Sequence, residues 1–350
     1  MKGENISLRN KLKGYLFEIA ILKLLTKNGF SVVEPYDNNK DRVKENRKGF
    51  IEIKGRGAWH QIDCPCDYDH AIPFSYPIRM LGEVKFHENP IEKHHIREFI
   101  GVIKDIQENY FVSAETPLNI TPERKIEIGT FFSANGFNKS AEGLAYAHGI
   151  RTISYQNNFA VKRIKDIITK IESDYISVDY ISKGRCKDFL NWFNHYLEGI
   201  DYHNLSSEYI HDPRFKRLMS DLSESLMSIR SSFIATTVTG VFLHFIGNDT
   251  FPEELFERTD DGQCRIYFDR DNANNRYFML EFFGDNKNRR FYFSPPRSLD
   301  EAAMFGDERV LDEKERHFGT LNVSIKIRGI NRNLTLHVDK EWLKHLRDGI

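Results

Sequence analysis

The chain lacks the long apolar run that a membrane span requires: no stretch of roughly 18 apolar residues occurs anywhere in it. The most tempting segment, 233–246, is broken by Thr236, Thr237, Thr239, Gly240 and His244. The N-terminal MKGENISLRNKLKG has no apolar h-region either, so a soluble cytoplasmic protein with no membrane partner is the expectation. Cysteine is scarce. Cys64, Cys66, Cys186 and Cys264 are too few for a disulfide framework in 350 residues. Neither sign of charge dominates: 50 Lys and Arg against 51 Asp and Glu leave a net charge of −1. No global field therefore advertises a polyanionic partner, although a local basic patch is enough to hold nucleic acid. Phosphate loop, HExxH helix and nucleophile elbow are all missing, which removes the signatures of nucleotide hydrolysis, zinc proteolysis and serine chemistry.

What is present reads as two differently textured parts, long enough for about two domains. Over residues 1–157 the pattern predicts helix, four strands, helix, strand, helix, strand. The first helix, 7–28, repeats Leu12, Tyr15, Leu16, Ile19, Leu22 and Leu25 at helical spacing and stops at Asn28-Gly29. Strands are predicted at 30–33, 50–53, 59–64, 80–86, 126–133 and 150–155, with helices at 91–109 and 139–148. The charged stretch 38–48 reads as a loop, and Pro65, Pro73 and Pro77 mark a connection. This order predicts an α/β core, a mixed central sheet flanked by helices. Residues 158–230 read as a charged helical connector, and residues 231–350 as a β-rich domain for recognition or partner binding, with one long strand over 233–245.

The chemistry concentrates in two strands. Side chains alternate along a strand, so Gln61 and Asp63 share one face, as do Glu83 and Lys85. Two adjacent strands would then bring Asp63, Glu83 and Lys85 together. Two carboxylates, a backbone carbonyl and waters suit Mg²⁺, with Mn²⁺ as a substitute, and Asp63 and Glu83 are the candidate metal ligands. A lysine beside them can orient an attacking water and neutralise charge developing on a phosphate. Glu18 falls within the apolar stripe of the first helix, where an ionised carboxylate is costly unless paired or linked to a metal. Lys54, Arg56 and His60 lie in a glycine-punctuated segment before Asp63 and, with Gln61, are the candidate nucleic-acid contacts. A solvated surface explains the same charges almost as well. His60, Cys64, Cys66 and His70 do not make a zinc site on spacing, since Pro65 alone separates the cysteines. His87, His94 and His95 read as exposed residues around a helix start, and the aromatics after 240 mostly as the core of a β-domain.

From Gly14 to Tyr155 the chain resembles the Mrr-type branch of the PD-(D/E)xK restriction-endonuclease superfamily, with the domain spanning about 10–156. The residues that carry the resemblance are Gly14-Tyr-Leu-Phe-Glu18, Gly55-Arg-Gly-Ala-Trp-His-Gln-Ile-Asp63 and Gly82-Glu-Val-Lys85. They are followed by Ile96-Arg-Glu-Phe-Ile-Gly-Val102, Gly136-Phe137 with Ala141, and Ala147-His-Gly-Ile150. The resemblance implies a restriction-endonuclease-like fold in which Asp63 is the metal-binding acid, Glu83 and Lys85 are the strand pair, and Glu18 is the helix glutamate. Many members of this branch carry Gln where Glu83 stands. The implied activity is metal-dependent DNA endonuclease action in restriction or anti-phage defence, as a homodimer or with protein partners of a defence system. Two alternatives stay open: a sensor or interaction subunit that works through the C-terminal β-domain, and a junction-resolving or repair nuclease. Residues 160–350 resemble no family.

Overall fold

The computed structural model describes residues 2–36, 41–47, 49–69, 75–110, 124–172, 186–197, 212–271, 275–297 and 308–345. Its first part is a mixed α/β layer. Helix α1 (Lys2–Thr26) buries Leu12, Leu16, Phe17, Ala20, Leu24 and Leu25, and ends where Gly29 takes a φ of 76°. Only a residue without Cβ enters that left-handed conformation at little cost, which closes the helix. The five-stranded sheet runs β1 (Phe30–Val32), β5 (Cys64–Tyr68), β6 (Ile78–Lys85), β7 (Ile126–Ser133), β8 (Arg151–Ser154). The β1–β5 and β5–β6 pairs are antiparallel, while β6–β7 and β7–β8 are parallel. Parallel neighbours need crossovers, supplied by α2 (Lys93–Gln107) and α3 (Lys139–Ala147). Helix α2 buries Ile96, Phe99, Ile103 and Ile106, at the spacing of one helical face. The Asn138 side chain caps α3 by accepting from the Ala141 N–H at 2.8 Å.

The chain departs from the predicted strand order in four places. The expected strand 59–64 is split: β4 (Trp59–Gln61) joins β2 (Val43–Glu45) and β3 (Ile51–Lys54) in a separate three-stranded sheet, and β5 starts only at Cys64. The predicted loop 38–48 thus contributes a strand. Pro65 lies inside β5 rather than in a connection: proline gives up a ladder donor, but its carbonyl accepts from the Val33 N–H at 2.9 Å. The expected strand 233–245 is a hairpin, β9 (Ser231–Thr237) and β10 (Phe242–Gly247), turned at Gly240 with a φ of 80°.

The second part is a closed barrel of seven strands. With β9 and β10 it contains β11 (Asp261–Arg270), β12 (Arg276–Phe282), β13 (Phe291–Phe293), β14 (Thr320–Ile327) and β15 (Ile330–Val338). Closure leaves no exposed edge among these strands. Phe233, Phe245, Phe268, Phe278, Phe291 and Phe293 fill the interior with Leu321, Leu334 and Leu336, so most of the aromatic wealth of the C-terminal half is core. Arg328 and Gly329, both at positive φ, make the tight turn between β14 and β15. Helices α7 (Glu308–Phe318) and α8 (Lys340–His345) place Phe318 and Leu343 in the same core.

Between the two parts lie α4 (Phe159–Thr169), α5 (Cys186–Leu197) and α6 (Pro213–Ser228). Their apolar faces, including Ile164, Ile168, Trp192, Phe193, Met219 and Leu222, form one continuous core with α1 and one sheet face, and that core extends to Ile234 and Ile246 of the barrel. A buried polar relay joins the parts as well. His244 of β10 pairs through Nδ1 with the Tyr155 hydroxyl at 2.7 Å and through Nε2 with the Ser232 hydroxyl at 2.7 Å. Lys165 of α4 donates to the carbonyls of Ala134, Tyr155 and Gln156 at 2.6, 2.9 and 3.2 Å, tying together the chain leaving β7 and β8. No helix among the described residues is long and apolar enough to cross a membrane.

Candidate active site

Register brings the site together. In the antiparallel β5–β6 pair Cys64 lies opposite Gly82, so Asp63, one residue before β5, meets the position of Glu83. The Asp63 carboxylate accepts the Val84 N–H at 3.0 Å, which fixes it against the strand that carries Glu83 and Lys85. Lys85 lies between the two acids, 3.5 Å from Asp63 and ion-paired with Glu83. Gly82 permits this approach, because a Cβ there would sit 2.7 Å from the Cys64 Cβ and 3.0 Å from its carbonyl. Helix α1 lies across the same point, with the Cys64 thiol 4.0 Å from the Glu18 carbonyl. It carries Glu18 to where the charges of Asp63, Lys85 and Glu83 all act on it. The sequence-predicted quartet is one cluster.

The cluster is short of positive charge. Among the described residues, three carboxylates share the Lys85 ammonium. Burial first, then repulsion from Asp63, pushes the Glu18 carboxyl well above the usual range, and the same two causes raise Glu83. Burial works against the charged form of Lys85, but Asp63, Glu83 and Glu18 outweigh it and hold the ammonium above its ordinary value. Hard oxygen donors with an unmet demand for cationic charge fit a small divalent ion that takes one or two carboxylates and keeps its waters. Among the described residues no group of three or more His, Cys, Asp or Glu is arranged to hold a metal by itself. Water and substrate oxygens would have to complete the shell.

Glu18 and Lys85 open onto a cleft of about 950 Å³. One wall is α1, with Arg9, Lys11 and Lys13, and the other includes Phe86, His87 and Asn135. The basic wall escaped sequence reading. Its only signal was three cations at alternate positions before the glutamate, a pattern that an exposed helix face shows equally often. His87 and His95 stand 5.0 Å apart, and burial together with neighbouring positive charge lowers both.

The candidate nucleic-acid contacts sit elsewhere, on the small sheet and its hairpin. His60 bonds Asp105 of α2 at 2.6 Å, and the same carboxylate accepts from the Gly57 and Ala58 N–H groups at 2.9 and 3.2 Å. Asp105 thus clamps the hairpin, and Gly55 is required there because a Cβ would fall 2.0 Å from its carboxylate. The Lys54 ammonium lies 5.9 Å from the Trp59 ring centre and that of Lys44 4.1 Å, while Arg56 pairs with Glu108 at 3.5 Å. Gln61 is exposed. None of Lys54, Arg56, His60 and Gln61 lines the cleft. Cys64 and Cys66 are free, buried thiols facing the α1 core, as expected of structural cysteines, and His70 lies outside the described residues.

No family model matches the chain, and no curated protein does. A solved crystal structure, "Protein of Unknown Function AF1548", aligns over 60% of this chain and 95% of its own at 14% identity, with a TM-score of 0.30. A likeness that distant says nothing about fold or activity.

Proposed function

We propose that the chain is a divalent-metal-dependent endonuclease that hydrolyses DNA phosphodiesters, with a restriction-endonuclease-like core and a role in restriction or anti-phage defence. The observation that carries this reading is the meeting of Asp63, Glu83 and Lys85 by strand register close to Glu18, with Glu18 and Lys85 lining a cleft that has a basic wall. Asp63 and Glu83 would hold Mg²⁺ or Mn²⁺, which when bound supplies Lewis-acid polarisation of the phosphate and a water made nucleophilic near neutral pH. Lys85, fixed between the two acids, keeps its proton and presents its charge to the phosphoryl oxygens as they become more negative. Glu18 adds a carboxylate from the helix side and orients water toward the pair. The buried thiols behind the site take no part.

Purified protein incubated with supercoiled plasmid should cleave it in Mg²⁺ or Mn²⁺ and leave it intact in EDTA. Asp63→Ala and Glu83→Ala should each abolish cutting while the circular dichroism spectrum stays unchanged, because a ligand is lost rather than core. Cleavage by Asp63→Ala at the wild-type rate would reject the assignment.

A further inference from the structure

The cleft beside the site has the chemistry of a strand-binding channel. Arg9, Lys11 and Lys13 give its α1 wall three cations within five residues. They are crowded: burial and then Arg9 lower Lys13, whose ammonium donates to the Thr169 carbonyl at 2.7 Å. Arg9 pairs with Glu172 at 3.7 Å, while its buried Nε has no hydrogen-bond partner. An anion along this wall would relieve the crowding and could use that donor. Aromatic faces stand beside the cations. Tyr15 lines the cleft and stacks on Phe50 with ring centres 5.1 Å apart, and Phe86 lines it from the end of β6. Cations that track a backbone, interleaved with rings on which bases stack, are how proteins hold single strands without reading their sequence. Size points the same way. About 950 Å³ lies at the upper end of pockets that enclose drug-sized ligands, so a few nucleotides of one strand fit and a duplex does not.

We infer that this cleft binds a short single-stranded segment of nucleic acid, its phosphates along Arg9 and Lys11 and a base against Tyr15, and delivers it to the carboxylates. The substrate would then be a flap, a gap or a locally opened duplex rather than an intact double helix. The inference builds on the nuclease reading, but its test needs no turnover. Fluorescence anisotropy of the full-length protein in EDTA, with labelled oligo-dT, oligo-rU and a mixed-sequence duplex of equal length, measures binding alone. Oligo-dT or oligo-rU should bind at least about 10-fold tighter than the duplex, and the preferred arm tells DNA from RNA. Lys11→Glu, an exposed change, should weaken single-strand binding. In the double variant Arg9→Ala/Lys11→Ala the salt-dependence slope should fall by about 1.4, at about 0.7 for each phosphate left without its cation. Tyr15→Leu should cost about 5-fold or more, the lower end for a stacked base. A duplex preference, or single-strand binding unchanged in both charge variants, would overturn the inference. Plasmid cleavage alongside that result would leave the nuclease reading standing, whereas tight single-strand binding with no cleavage of plasmid, single strand or flap in Mg²⁺ or Mn²⁺ would reject the nuclease reading alone.

Discussion

His244 should make the protein sensitive to acid in a way that a single substitution removes. The imidazole is 2% exposed, and both its nitrogens are engaged, by Tyr155 on one side and Ser232 on the other. Burial pushes its pKa from 6.5 down to about 3. The folded protein therefore refuses a proton that the unfolded chain accepts once the pH drops below about 6.5. The stability tied to this residue is intact above that value and is lost as the pH falls toward about 3. At roughly 1.4 kcal/mol per unit, moving from about pH 7 to about pH 4.5 removes about 2.5 kcal/mol. Glu18 and Glu83, whose folded pKa values are raised, change stability in the opposite direction over the acid range, so the wild-type profile mixes the two effects. Comparison with His244→Gln cancels them.

Glutamine stays neutral and can still bond one or both hydroxyls. At about pH 7 it should cost about 1–3 kcal/mol, the penalty for an imperfectly satisfied buried relay. At about pH 4.5 the gap should close or reverse, because only the wild type carries the histidine penalty. Urea unfolding of both proteins at the two pH values, followed by tryptophan fluorescence, supplies the four free energies. A gap between wild type and His244→Gln that stays within about 0.5 kcal/mol across the two pH values would refute the reasoning, since linkage allows no other outcome for a buried neutral histidine.

Three further outcomes follow from the geometry. Lys85→Met should lower the cleavage rate by about 10²-fold or more while calorimetry still detects Mn²⁺ binding, because the ammonium acts on developing charge; normal turnover would remove Lys85 from the mechanism. Gly82→Ala should cost about 1–3 kcal/mol, since its Cβ would meet the Cys64 Cβ at 2.7 Å and the Phe132 ring at 3.1 Å, and activity should fall further than the melting temperature implies as Glu83 moves from Asp63. A fragment ending at residue 157 should aggregate in light scattering whereas one ending at 230 stays dispersed, because α4–α6 cover the α1 core; a monodisperse 1–157 fragment would contradict that shared core.

The site was more legible than the fold around it. Asp63 sits at the break before β5 and meets its partners through the β5–β6 register, but Glu83 and Lys85 stand two residues apart on one strand and obey its alternation, and Glu18 announces itself as a charge within an apolar stripe. Such signals survive without tertiary information. What failed depends on partners distant in sequence. Nothing local separates β4 from β5, because the break at Ile62-Asp63 exists to let one strand pair with β3 and the next with β1 and β6. Pro65 argues against a strand until Val33 is seen to use its carbonyl. That the ring of His60 is tied to Asp105, 45 residues away, is not legible locally either. The single run over 233–245 concealed a hairpin because Thr239-Gly240 is a weaker turn signal than the flanking apolar residues are a strand signal.

The barrel narrows what the C-terminal half can contribute. A barrel that carries a ligand keeps space inside, whereas Phe233, Phe245, Phe278 and Phe291 fill this one to near-zero exposure. Among the described residues of 231–345, recognition is therefore left to the outer face, the rims or the two helices that pack on the barrel core. The outer face is partly spent already, since Ile234, Ile246 and His244 dock against the α/β layer. The docking has a consequence for the site. Tyr155, which bonds His244, also packs edge-on against Phe17 at 5.9 Å, and Phe17 immediately precedes Glu18. Barrel, β8 and the helix glutamate are linked through packed groups that cannot shift independently in a close-packed interior. A partner pressing on the barrel would thus bear on the position of Glu18, whereas one bound at the β2–β3–β4 sheet would act through Asp105 and α2 on the opposite face of the central sheet.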